Sequence, residues 1–186
     1  MISDWVTWVT EGFLAPRRTA RQLIETDVPF AAILELAVLS YAIGGLVAVF
    51  LLPPAESAVA LFERHAGGLL AHLGSILLST ALIFGAGRFF GGVGKIDDAL
   101  VIVCWCTLLQ TLWLILPTVF LLDIPNEDVP GVAVLLLLIW GGILFWLLAS
   151  YVAELHGFRS VAAVAGVMVG TGLMLGVLIS AISPPS

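Results

Sequence analysis

Few side chains in these 186 residues are of a type that does chemistry, and Glu35 is the one that stands well inside an apolar run. An ionisable group in hydrocarbon is costly, which makes it a functional candidate by default. At 1.5 Å per residue Glu35 lies about 8 Å inside its run. A carboxyl there can pair with Arg88 or Arg21 across a helical bundle, stay protonated, or bind an ion or a lipid headgroup. Gln110 falls near the middle of a later run beside Thr107 and Thr111. A side-chain amide in lipid needs partners, so interhelical hydrogen bonding is the bland account of it. His72 and His65 have no second ligand at a metal-like spacing such as HExxH. Cys104 and Cys106, in VCWCT, point about 200° apart on a helix and cannot close on one metal from it. They read as two small apolar side chains, with no disulfide framework implied.

A second group gathers where runs end. Glu154, His156 and Arg159 follow the fourth run, and Arg88, Lys95, Asp97 and Asp98 flank the turn between the second and third. Together they form a charged rim, either a solvated helix end or a docking surface for a partner or anionic lipid. The last run repeats small residues every four positions: Ala162, Gly166 and Gly170 on one line, Gly172, Gly176 and Ser180 on another. Such lines let helix backbones approach closely, within the bundle or between two copies. No nucleophile–base pair, phosphate loop or nucleotide fingerprint occurs, since GFLAP and GGVGK lack the P-loop spacing and context. No enzyme activity and no cofactor is expected.

The elements that must position these residues follow from composition. The chain is 61% hydrophobic and 11% charged, with a mean hydropathy of +1.15. Charges placed only at the ends of long apolar runs describe a chain solvated by lipid. A formal net charge of −6 argues against a nucleic-acid partner. Five runs, at about 30–52, 68–88, 99–122, 132–153 and 161–182, each approach the roughly 20 residues that cross a ~30 Å core. Helices alone satisfy their backbone groups in lipid. Pro53-Pro54 stops the first run, Gly91-Gly92 and Gly94 turn the chain after the second, and DIPNEDVPG separates the third from the fourth. The short ELHGFRS makes the last two runs antiparallel neighbours. The segment 55–66 either lies on the membrane surface or extends the second span.

Ahead of the runs, Ile2, Trp5, Val6, Val9 and Phe13 recur at helical spacing. This amphipathic helix is expected in the headgroup layer, with tryptophan anchors. Pro16 suits the first turn of a second short helix ending near Glu25. The first long run starts too late and is too long for a signal peptide, and Arg17-Arg18 lacks the apolar residues that follow a twin-arginine signal. Arg17, Arg18, Arg21, Arg88, Lys95 and Arg159 fall on one side of the membrane and Arg64 on the other. The positive-inside rule then puts the N-terminus in the cytoplasm and the C-terminus outside.

The chain resembles the Yip-domain family, named for Ypt/Rab-interacting proteins, and in particular its short prokaryotic members. The matching features are APRRTARQLIE before the first span, RFFGGVGKIDDALVIVCWCTLLQTLWLILP across the second turn, and IWGGILFWLLASYVAELHGFRS in the fourth run. The resemblance implies a five-helix membrane bundle with a cytoplasmic N-terminal region. Eukaryotic members look like membrane-shaping and trafficking proteins that contact Rab-type GTPases. Their long cytoplasmic region and DLYGP-type motif are missing here, so no GTPase partner and no catalytic residue carries over.

The expectation is an all-α integral membrane protein: about five transmembrane helices preceded by a short N-terminal amphipathic helix. Residues 1–28 form the cytoplasmic segment, 29–183 the membrane domain and 184–186 a tail. The expected role is non-enzymatic, scaffolding, assembling or organising other membrane components in the bacterial inner membrane, with the lipid bilayer and other membrane proteins as partners and the C-terminus periplasmic. The alternative is a small transporter or channel acting as a homo-oligomer, using Glu35 and Gln110.

Overall fold

The computed structural model describes residues 2–51, 58–122 and 130–182. These form seven helices: α1 (Ile2–Leu14), α2 (Pro16–Glu25), α3 (Phe30–Leu51), α4 (Ala58–Phe89), α5 (Ile96–Leu122), α6 (Pro130–Leu155) and α7 (Val161–Ile182). The Pro53-Pro54 stop, the start of 55–66, most of the DIPNEDVPG loop and the 184–186 tail lie outside the described residues. From Ala58 onward the ambiguous segment is the first part of α4, continuous with the second span.

Four helices are long and apolar enough to cross a membrane: α3 over Phe30–Ala48, α4 over Glu63–Phe89, α5 over Ile96–Thr118 and α6 over Val134–Leu155. The 22 residues of α7 reach about 33 Å, although its apolar stretch counted over the described residues, Val161–Met174, is shorter than a span. The outer surface is made of side chains that water would not tolerate in such number. Leu70, Leu77, Leu78, Leu138 and Leu173 are all exposed, as suits helices facing hydrocarbon.

The centre is α5. Its residues 101–106, with Leu108 and Leu109, are all buried, and it packs against α3, α4, α6 and both N-terminal helices. Pro117 sits inside it and has no N–H to give the carbonyl of Trp113 four residues earlier. The indole Nε1–H of Trp140 on α6 donates to that carbonyl at 3.1 Å. A neighbouring helix thus satisfies the group that proline frees, as hydrocarbon requires.

The α4 and α6 helices end alike. Gly91 (φ 82°) follows α4 and Gly157 (φ 71°) follows α6, conformations in which a side chain is strained. The amide of Gly92 donates to Gly87 O at 2.7 Å, and that of Phe158 to Ala153 O at 2.8 Å. Both are Schellman closures, which satisfy the last carbonyls of a helix. The two turns touch, with Val93 N donating to His156 O at 3.3 Å. The sequence features GGVG and ELHG therefore meet at one end of the bundle, here called the basic end.

Candidate functional site

At the basic end the Glu154 carboxylate joins two helices, α6 and α2. Arg17 and Arg21 are one turn apart on α2 and so share a face. Arg17 Nε lies 2.8 Å from Oε2 of Glu154, and Arg21 Nη2 lies 2.6 Å from Oε1. The two other Arg17 nitrogens donate to Phe158 O (3.1 Å) and Arg159 O (3.3 Å), beyond the end of α6. A cation there also complements the negative end of the helix dipole. Glu154 keeps only 11% side-chain exposure, whereas Arg17 and Arg21 keep 41% and 65%, so the carboxylate is shielded and its cations face outward. Hydrogen bonding to Glu154 first, and its charge second, hold the Arg21 guanidinium more firmly protonated than usual.

One turn further in, Tyr151 ties α1 to the bundle. Trp105 Nε1 donates to the Tyr151 hydroxyl at 2.9 Å, and that hydroxyl donates to Gly12 O at 3.2 Å. A Cβ on Gly12 would stand 3.0 Å from Leu109 Cδ1 and 3.3 Å from Tyr151 Oη, so a larger residue there would make the Leu109 and Tyr151 side chains give way. Trp8 meets Trp105 edge-on at 6.1 Å, and Phe13 packs on Trp113 at 5.0 Å. Leu109 is about 20 Å along α5 from Ile96. The last turns of α1 thus dock along α5 through Trp8, Gly12 and Phe13, while Trp5 and Val6 stay exposed.

His156 is 2% exposed and sits in a cradle of Gly87, Gly92 and Gly94. A Cβ on Gly87 would overlap the imidazole, and one on Gly92 would lie 2.6 Å from His156 Cβ. Nε2 lies 3.2 Å from Ile83 O, and since a carbonyl only accepts, this nitrogen carries the proton. Nδ1 is buried without a partner among the described residues. Burial pushes His156 below the ordinary histidine range; the Ile83 hydrogen bond opposes this, and the Arg88 charge adds to it.

The sequence candidates divide between this site and elsewhere. Glu154 and Arg159 belong to it, Arg159 through its carbonyl. Arg88 is exposed at its edge and donates to Gly92 O at 3.3 Å. Glu35 does not reach it. Glu35 is exposed on α3, and the described ion pairs give Arg21 to Glu154, so the expected Glu35–Arg21 or Glu35–Arg88 pair is not formed. Gln110 is half-buried and faces a hollow of about 220 Å³ with Ser79, Cys106 and Thr107. The hydroxyls of Thr107 and Thr111 are turned to Val103 O and Thr107 O of their own helix. His72 and His65, which have no visible partner in sequence, pair with Ser40 Oγ (2.9 Å) and Tyr41 Oη (3.4 Å).

Of the two uses expected for the small-residue lines of α7, packing within the bundle is not what Gly166, Gly170 and Gly172 do here. Ala162, Gly166, Gly170 and Gly172 are exposed, and a Cβ on any of the three glycines would meet nothing within 4 Å. The helix packs on α6 through Val161, Val164, Ala165 and Met168 instead, because branched side chains on that face fill the space between the helices. The surroundings of Gly176 lie outside the described side chains. Tyr151, the His156 cradle and the Trp140–Trp113 bond were not singled out from sequence. Only the last had a usable signal, a proline four residues after the freed carbonyl.

Comparison with curated proteins gives no match, and neither does comparison with solved structures. The family model of the Yip1 domain matches residues 12–182, from the glycine that binds Tyr151 to the end of α7. The match takes in all four helices long enough to cross a membrane, and the chain belongs to the Yip1 domain family.

Proposed function

We propose that the chain is a non-enzymatic scaffold of the bacterial inner membrane, which organises other membrane proteins through its basic end. The observation that carries this reading is the clamp of Arg17 and Arg21 on Glu154. It fastens α1–α2 to the bundle and leaves Arg18, Arg88, Lys95 and Arg159 exposed around one firm platform. Charged rims steer and select partners more than they add raw affinity. With α7 counted as a fifth span, the positive-inside rule puts this platform and the N-terminus in the cytoplasm and the C-terminus in the periplasm. The test is purification in mild detergent with mass spectrometry of what accompanies the chain. The Arg18→Glu, Lys95→Glu double variant should lose a defined partner set that the parent retains. Identical partner sets would contradict the proposal.

The hollow at Gln110 favours a second reading, a small transporter, because its amide faces open space with Ser79 and Thr107 beside it. Reconstituted vesicles discriminate: a transporter loses flux in Gln110→Leu, whereas a scaffold keeps its partners.

A further inference from the structure

A groove of about 580 Å³ opens between α4 and α7, floored by Val152 of α6. Its walls are apolar, with Leu82 and Phe90 on one side and Val164 and Met168 on the other. Its volume falls in the range of ligand pockets, roughly 300–1,000 Å³. Along α7 it runs from Ser160 to Gly172, about 18 Å, close to the depth of one leaflet in a ~30 Å core. Arg159 and Ser160 line its end at the first turn of α7. There Ser160 Oγ accepts from Ala163 N, while the amides of Val161 and Ala162 precede any helical acceptor. The positive end of the α7 dipole adds to the Arg159 charge. Apolar length and cationic mouth are thus joined in one feature with the polarity of a phospholipid.

We propose that this groove holds one anionic phospholipid, an acyl chain lying between α4 and α7 and its phosphate at Arg159 and the first turn of α7. Charge complementarity selects this occupant over a second helix. The Gly166–Gly170 line of α7, which suits a close helix, lies outside the groove, whereas a phosphate on an apolar chain matches both Arg159 and the apolar walls. Basic pockets between membrane helices recognise anionic headgroups in this way.

The experiment is native mass spectrometry of the whole protein in mild detergent, titrated with phosphatidylglycerol or with phosphatidylcholine of the same chains. One lipid should be retained per chain, with phosphatidylglycerol preferred about fivefold, the pull of one arginine near a surface. Arg159→Gln should erase the preference and keep the chain-dependent binding. Arg18→Gln, an exposed arginine at the same end, should leave the preference intact. Val167→Trp should fill the groove and exclude both lipids, and Ala163→Phe, at the other edge, serves where that variant melts early. Equal retention of both lipids by the parent would overturn the proposal. So would an Arg18→Gln effect as large as that of Arg159→Gln, or a dimer that Val167→Trp dissociates.

Discussion

The imidazole of His156 fills the space that a side chain on Gly87 would need. The ring stands at the end of α6 and the glycine in the last turn of α4, so the end of one span is shaped to receive the end of another. Gly92 and Gly94 complete the cradle.

Gly87→Ala should therefore destabilise the bundle by roughly 1–3 kcal/mol, the usual cost of forcing volume into a packed site. A double-mutant cycle with His156→Ala should recover part of that loss, because the clash disappears with the ring. Additive losses would show that the two residues do not interact.

The same burial sets a pH dependence. His156 lies below its ordinary value in the fold, so the unfolded chain takes up a proton first as pH falls. The contribution of His156 is complete above about pH 6.5, the ordinary histidine value, and is lost as pH drops from there toward the folded value. Thermal melts in detergent should fall between pH 7 and 5 for the parent, and less steeply for His156→Gln. Equal slopes would remove His156 as the cause.

Much of this architecture is legible in the sequence because lipid imposes simple rules. Long apolar runs became α3 to α6, and the glycine turn and charged rim appeared where hydropathy ends. What was hidden depends on distance across the bundle. Glu35 looked like the natural partner for arginine because it is the carboxyl deepest in a run, yet Glu154, at the same level as α2, takes both Arg17 and Arg21. The α7 glycines promised a packed groove, but a spacing of four residues cannot say which side of a helix meets its neighbour. The tryptophans of α1 are visible in sequence, but which of them meets α5 is set by packing across the bundle, where Trp8 finds Trp105.

The clamp makes a contrast between two carboxyls. Glu154→Gln should loosen α1–α2 and lower the melting temperature, since both bridges share one carboxylate. Hydrogen exchange should rise across residues 2–25. Glu35→Gln, on an exposed face, should leave both melting and exchange close to the parent. If Glu35→Gln loosens the N-terminal helices as much, the clamp is misassigned.

Trp140 supports the proline break in α5. Trp140→Phe should cost about 1–3 kcal/mol by leaving the Trp113 carbonyl unpaired. In a Pro117→Ala background the same change should cost less, because the alanine amide would supply the helical donor. Equal costs in both backgrounds would mean that the indole bond is not what matters.

The proposed platform is tested most directly by a photo-crosslinking residue placed at Arg18 or Lys95 in native membranes, with Leu78 on the outer face of α4 as reference. Both rim positions are predicted to give discrete protein adducts, weakened by Glu154→Gln, while Leu78 gives none of them. Adducts absent from the rim, or the same from all three positions, would contradict a scaffold that works through its basic end.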